Sequence, residues 1–268
     1  MTYRTILIEL QPDGPIEARL RSAQAVARRF EAMLIGMHVM ATPFVPGTYG
    51  EAGVYLGVDL IEEQREASRR IAGGIRSTFQ EICGTEGSWQ EAEGDPGRLL
   101  AGAAHCADLV VAAKRDLSVL DMPDVVEELA VAAGVPVLML PPEGAAEPAR
   151  AVVVGWNGSR EATRAVHGAL PFLRDAERVN LCALGEEAAR TVEACAAMLR
   201  RHDVAAEAEP LERPDGDAGE VLLAQAVAHG SDLLVMGAYG HGRLRELVFG
   251  GATRHVLRHA TLPVLFGS

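Results

Sequence analysis

Two distant segments, Ala-Asp-Leu-Val-Val-Ala-Ala at 107–113 and Ser-Asp-Leu-Leu-Val-Met-Gly at 231–237, share one pattern: a small residue, an aspartate, then an apolar run. Each is preceded by residues with helical spacing, Leu99, Leu100, Ala103 and Ala104 in one case and Leu223, Ala226 and Val227 in the other. Each is followed by a second helix and a final apolar run, Val135–Leu140 or Leu262–Phe266, with proline in its second position. The openings repeat too. Ile6-Leu7-Ile8 and Val152-Val153-Val154 lead through polar turns into Ala-rich helices, then to second strands at Met33–Met40 and Val179–Leu184. Both halves therefore read β-α-β-α-β-α-β-α-β, and short apolar strands alternating with helices predict a parallel sheet of right-handed βαβ units in each. Pro141-Pro142-Glu143-Gly144-Ala145-Ala146-Glu147-Pro148 is too poor in large apolar residues for a core, so domains are expected at 1–142 and 149–268. The halves differ at Ala41–Val58, rich in Pro, Gly and Tyr, which is expected to be a lid or interface loop.

A chain of 268 residues that is 49% hydrophobic can fill two modest cores. Its net charge of −12 argues against nucleic acid as a partner, despite the local group Arg243, Arg245, Arg254, His255, Arg258 and His259. Cys83, Cys106, Cys182 and Cys195 lack CxxC spacing and suit a reducing compartment. The segment Met1–Leu10 is too short and too early charged for a signal peptide or span, and no other run approaches membrane length, so a cytoplasmic protein without membrane contact is expected.

In open parallel sheets, ligands bind beyond the carboxyl ends of strands where the strand order reverses. In the second half the first strand ends in Gly155-Trp156-Asn157-Gly158-Ser159, an Asx turn with Ser159 as helix cap, in which Asn157 can also reach a ribose or base edge. The fourth ends in Gly237-Ala238-Tyr239-Gly240-His241-Gly242, followed by Gly250-Gly251-Ala252-Thr253. Such glycines let backbone N–H groups approach an anion, and the following helix N-terminus adds donors. They lack the Gly-Lys-Ser/Thr of a P-loop and the placement of a dinucleotide fingerprint.

With these residues the chain resembles a tandem member of the universal stress protein family. Nucleotide-binding members carry Gly-x2-Gly-x9-Gly-Ser/Thr after the fourth strand, and Gly237, Gly240 and Gly250 fall on that spacing. The resemblance implies two Rossmann-like domains of the adenine nucleotide alpha hydrolase-like kind, each a five-stranded parallel sheet flanked by helices, related by a pseudo-twofold axis. It implies ATP or another adenine nucleotide, with Mg²⁺ able to accompany it. Backbone around Gly240, Gly250 and Gly251 would hold phosphates, with His241 and Gly242 in the same loop and Gly237 beside the ribose. The end of the second strand at Ala183 and Leu184 would read the base. Two departures stand out: Gly251 replaces the hydroxyl residue, with Thr253 two positions on, and Asn157 replaces an aspartate, removing a charge for metal. The first half follows Ala113 with Lys114-Arg115-Asp116-Leu117-Ser118 and has no glycine until Gly134, so it is expected to be a degenerate partner without ATP. Asp13-Gly14 reads as a remnant of its first-strand turn or a solvated turn.

The eight histidines form no HExxH or Cys/His ligand set, and only His241, inside the glycine loop, stands near a phosphate position. Asp108 and Asp232 at strand starts suit turn or capping roles, and Trp89 and Trp156 suit packing. The expected function is regulatory nucleotide binding in a stress response, by an intramolecular pseudo-dimer whose halves pack through their final strands as edges and which is able to dimerise further. Two alternatives stand beside it: a slow ATPase, and a module for another small ligand or a protein.

Overall fold

The computed structural model describes residues 2–12, 14–42, 51–114, 125–145, 149–211, 216–238 and 251–267, with the side chains of 51–59 left aside. The first half runs β1 (Thr5–Glu9), α1 (Ile16–Arg29), β2 (Met33–Met40), α2 (Glu51–Cys83), β3 (Gly87–Glu93), α3 (Pro96–Ala104), β4 (Leu109–Ala113), α4 (Val125–Ala132) and β5 (Val137–Leu140). The second repeats it as β6 (Ala151–Trp156), α5 (Arg160–Asp175), β7 (Arg178–Leu184), α6 (Glu186–Arg200), β8 (Ala206–Leu211), α7 (Ala218–Ala228), β9 (Leu233–Gly237), α8 (Gly251–His259) and β10 (Val264–Gly267). Residues 51–58 of the expected lid loop lie in α2, and residues 43–50 lie outside the described residues.

The two expected sheets are one. The strand order is β3-β2-β1-β4-β5-β10-β9-β6-β7-β8, parallel throughout except where β5 meets β10 antiparallel, with Leu138 opposite Leu265. The final strand of each half, the edge of its own five strands, therefore meets its counterpart at the centre. Pro136 and Pro263 permit this because each precedes the first strand residue and still accepts a hydrogen bond through its carbonyl, from Val110 and Leu234 respectively. One apolar cluster joins the sheet to α1, α2, α5 and α6, and the other joins it to α3, α4, α7 and α8. Across the junction Tyr3, Phe30 and Phe172 form an aromatic group, the Tyr3 hydroxyl donates to the Gly168 carbonyl at 2.6 Å, and Arg29 meets Asp175 at 3.0 Å.

The repeated aspartates tie the strand starts. Asp108 accepts from the backbone N–H groups of Arg4 and Thr5, and Asp232 from those of Ala149, Arg150 and Ala151. These contacts satisfy backbone donors at the entry of β1 and β6, which explains why this residue recurs. Replacing Asp232 with Ala removes the acceptor for three donors, and a loss of about 1–3 kcal/mol is expected in urea unfolding. No described helix is long and apolar enough to cross a membrane.

Candidate functional site

In each half the first strand is followed on one side by strands two and three and the fourth strand on the other by strand five, so the order reverses between β1 and β4 and between β6 and β9. The two loops leaving such a pair diverge, which opens a crevice at the carboxyl ends. Because β5 and β10 are antiparallel, the two crevices lie at opposite ends of the strands.

The second crevice begins at β6. Asn157 accepts from the N–H of Ser159 at 3.0 Å, and Ser159 caps α5 by accepting from Ala162 at 3.1 Å. The Asx turn and cap are thus both present, while the Asn157 amide N–H₂ makes no hydrogen bond among the described residues. Trp156 is a packing residue whose indole N–H donates to Thr191 at 3.0 Å. Leu184 closes β7 half-buried, beside β6. Gly237 closes β9, and a Cβ there would stand 2.6 Å from the Ala162 nitrogen and 2.7 Å from the Glu161 carbonyl carbon. Glycine is therefore what lets β9 approach the first turn of α5. Burial pushes the Glu161 carboxyl up, but a hydrogen bond from its own backbone N–H and the neighbouring Arg160 outweigh it, so its pKa falls below the ordinary value.

The second helix N-terminus at this end belongs to α8, which starts at Gly251 and has Thr253 buried in its first turn. Asp217 caps α7, accepting from Gly219 at 2.7 Å, and its other oxygen would stand 3.0 Å from a Cβ on Gly251. A serine or threonine at 251 would crowd that carboxylate. The structure thereby supplies a reason for glycine at position 251. Gly240, His241, Gly242 and Gly250 lie outside the described residues.

The first half carries buried polar side chains at the carboxyl end of β1. Matching Ile6 to Val152 through their equivalent pairings with Leu109 and Leu233 sets Glu9 at the place of Gly155. Counted back from the helix starts, Gly14 (φ 74°) stands where the second half has Gly158 (φ 72°), each just before the cap residue, Pro15 or Ser159; Asp13 itself lies outside the described residues. Glu9 and Arg19 are each 1% exposed and stand 3.8 Å apart, with Arg19 also donating to the Gln11 carbonyl at 3.0 Å. His38, the counterpart of Ala183, is buried and donates from Nδ1 to the Leu10 carbonyl at 2.7 Å. Ala113 stands where the second half has Gly237. Large polar side chains thus stand where the second half has Gly155, whose Cβ position would lie 2.7 Å from the Leu222 side chain, and the fully buried Ala183. The sequence carried a signal for this: Glu9 ends an otherwise apolar strand.

Residues 173–266 match the Universal stress protein family. The matched segment lies wholly within the second half and runs from the end of α5 to β10. A universal stress protein of Synechocystis sp. is 46% identical over 50 residues, which are 19% of this chain and 17% of that relative. A universal stress protein from Archaeoglobus fulgidus overlays 97% of both chains with a TM-score of 0.73 at 15% identity, a likeness of fold across both halves. A universal stress protein solved in complex with cAMP aligns with 53% of this chain and 99% of its own length, at 19% identity and a TM-score of 0.37.

Proposed function

We propose that this universal stress protein binds one adenine nucleotide, ATP or a close relative, in the crevice between β6 and β9, and acts in the cytoplasm as a regulator rather than an enzyme. The observation that carries this reading is the strand reversal at which Asn157, Gly237 and the N-termini of α5 and α8 come to one end of the sheet. Asn157 has donors for a ribose, Leu184 offers apolar surface and backbone for the base, and Gly237 leaves room for the sugar. The phosphates would lie with the loop carrying Gly240, His241, Gly242 and Gly250 and with the α8 start at Gly251 and Thr253. Mg²⁺ would be held mainly by the nucleotide's own phosphates, because Asn157 supplies no charge. Residues 1–142 form the partner domain, which buries the Glu9–Arg19 pair at the end of β1, and residues 149–268 form the binding domain.

Calorimetric titration of ATP, ADP and AMP into the nucleotide-free chain tests this. One equivalent of adenine nucleotide is expected to bind. The Asp217 carboxylate opposes negative charge at the start of α8, so the order of the three affinities reports whether phosphates lie there. Heat from none of the three, or two equal sites per chain, would overturn the reading.

A further inference from the structure

At the other end of α7 the second half carries a group of side chains that the nucleotide reading does not use. Cys182 comes from β7, Glu209 from β8 and His229 from the end of α7. The residues are 27 and 20 positions apart in pairs, so no linear ligand motif announces them. Strand pairing sets Cys182 directly beside Glu209, and both lie on the face that α7 covers. One carboxylate oxygen of Glu209 stands 3.7 Å from the Cys182 sulfur and 2.8 Å from Nε2 of His229, and the three potential ligand atoms all fall within 4.8 Å of one another. Ligands around a tetrahedral zinc ion lie about 3.3–3.6 Å apart, as metal–ligand distances of about 2.0–2.3 Å require. Small side-chain adjustments bring this trio to that spacing.

We propose that Cys182, Glu209 and His229 bind a divalent ion of the zinc class. The sulfur and imidazole favour zinc, cobalt or nickel over magnesium or calcium, which prefer oxygen-only shells. Binding replaces the Cys182 S–H bond with a sulfur–metal bond, and the displaced proton leaves to solvent. Cys182 is buried, whereas the side chains of Glu209 and His229 are 31% and 28% exposed, so water can complete a fourth position. The Arg178 guanidinium donates to the His229 carbonyl at 3.1 Å and fixes that ligand's backbone while adding a positive charge nearby. Without metal, Glu209 and His229 pair directly; with it, the ion would join β7, β8 and α7 at the outer edge of the sheet. The first half retains a histidine at the matching place, His105, but has Met37 and Gln90 for the other two, so the trio belongs to one half alone.

The reduced, chelator-treated full chain, titrated with Co²⁺ and then Zn²⁺, tests the proposal. One equivalent of cobalt should give a sulfur-to-metal charge-transfer band that zinc abolishes and Cys182→Ala lacks. Glu209→Gln should weaken zinc binding by about tenfold or more. The other three cysteines remain in every variant and set the background. Absence of the band, its survival in Cys182→Ala, or undiminished zinc affinity in Glu209→Gln would overturn the site. Should Cys182→Ala fail to fold, Glu209→Gln alone decides it, since that side chain is partly exposed. Nucleotide affinity is not an observable in this experiment, so either reading can fail without the other.

Discussion

Arg19→Met is expected to lower the stability of the first half by about 3–5 kcal/mol, the cost of leaving a buried carboxylate without its counter-charge. Both partners are almost entirely hidden from water, and Arg19 also bonds the Gln11 carbonyl, so water cannot take over its role without rearrangement. Paired substitution separates charge from packing. In Glu9→Leu with Arg19→Met both charges vanish and much of the loss should return, because apolar residues of similar volume often replace a buried pair without penalty. Urea unfolding of the single and double variants measures both. A single-variant loss below about 1 kcal/mol, the scale of an exposed pair, would show that the ions do not organise this crevice. The double variant should still bind no nucleotide in the first half, which keeps Ala113 in place of the close-approach glycine.

Gly237→Val should affect stability and binding together. The added Cβ collides with the backbone of Glu161 and Ala162 rather than with a movable side chain, so either β9 or the start of α5 must shift. Overpacking of this kind costs about 1–3 kcal/mol, which for a domain of this size lowers the melting temperature by several degrees. If the nucleotide lies as proposed, displacing α5 also moves Asn157 and Ser159, and ATP affinity should fall by at least about tenfold. Calorimetry on the folded variant at low temperature reads the second effect apart from the first. An unchanged melting temperature together with unchanged affinity would remove Gly237 from both roles.

Much of this architecture is legible in the residues. The repeated Asp-apolar runs mark β4 and β9, and the two aspartates do bind the strand entries. The order of elements in both halves and the Ser159 cap also follow from local pattern, because periodicity and capping act over a few residues. That the halves meet through their short, proline-led final strands, Val137–Leu140 and Val264–Gly267, was also legible, but that the meeting is an antiparallel hydrogen-bonded pair joining two sheets into one was not, because pairing register is set by the packing of two complete halves. The departure of the first half was half legible: its missing glycines are plain, but Arg19 looks like an ordinary helix residue until the fold brings it to Glu9. Cys182, Glu209 and His229 were invisible for the same reason, since their proximity is created by strand register and a helix end. The glycine loop remains a matter of sequence spacing, to which Gly237, Gly251 and Thr253 are the described anchors.

The antiparallel meeting of β5 and β10 has a consequence for how such a chain can evolve and be regulated. In a dimer of identical subunits, every substitution appears twice, and assembly depends on protein concentration. Here the tether between the halves keeps the second always at hand for the first, so their pairing is independent of dilution. Freed from obligatory symmetry, the two halves can differ at matching places, as Glu9 and Gly155 do. If one half alone binds nucleotide as proposed, a partner that distinguishes the loaded from the empty state meets a single site per chain.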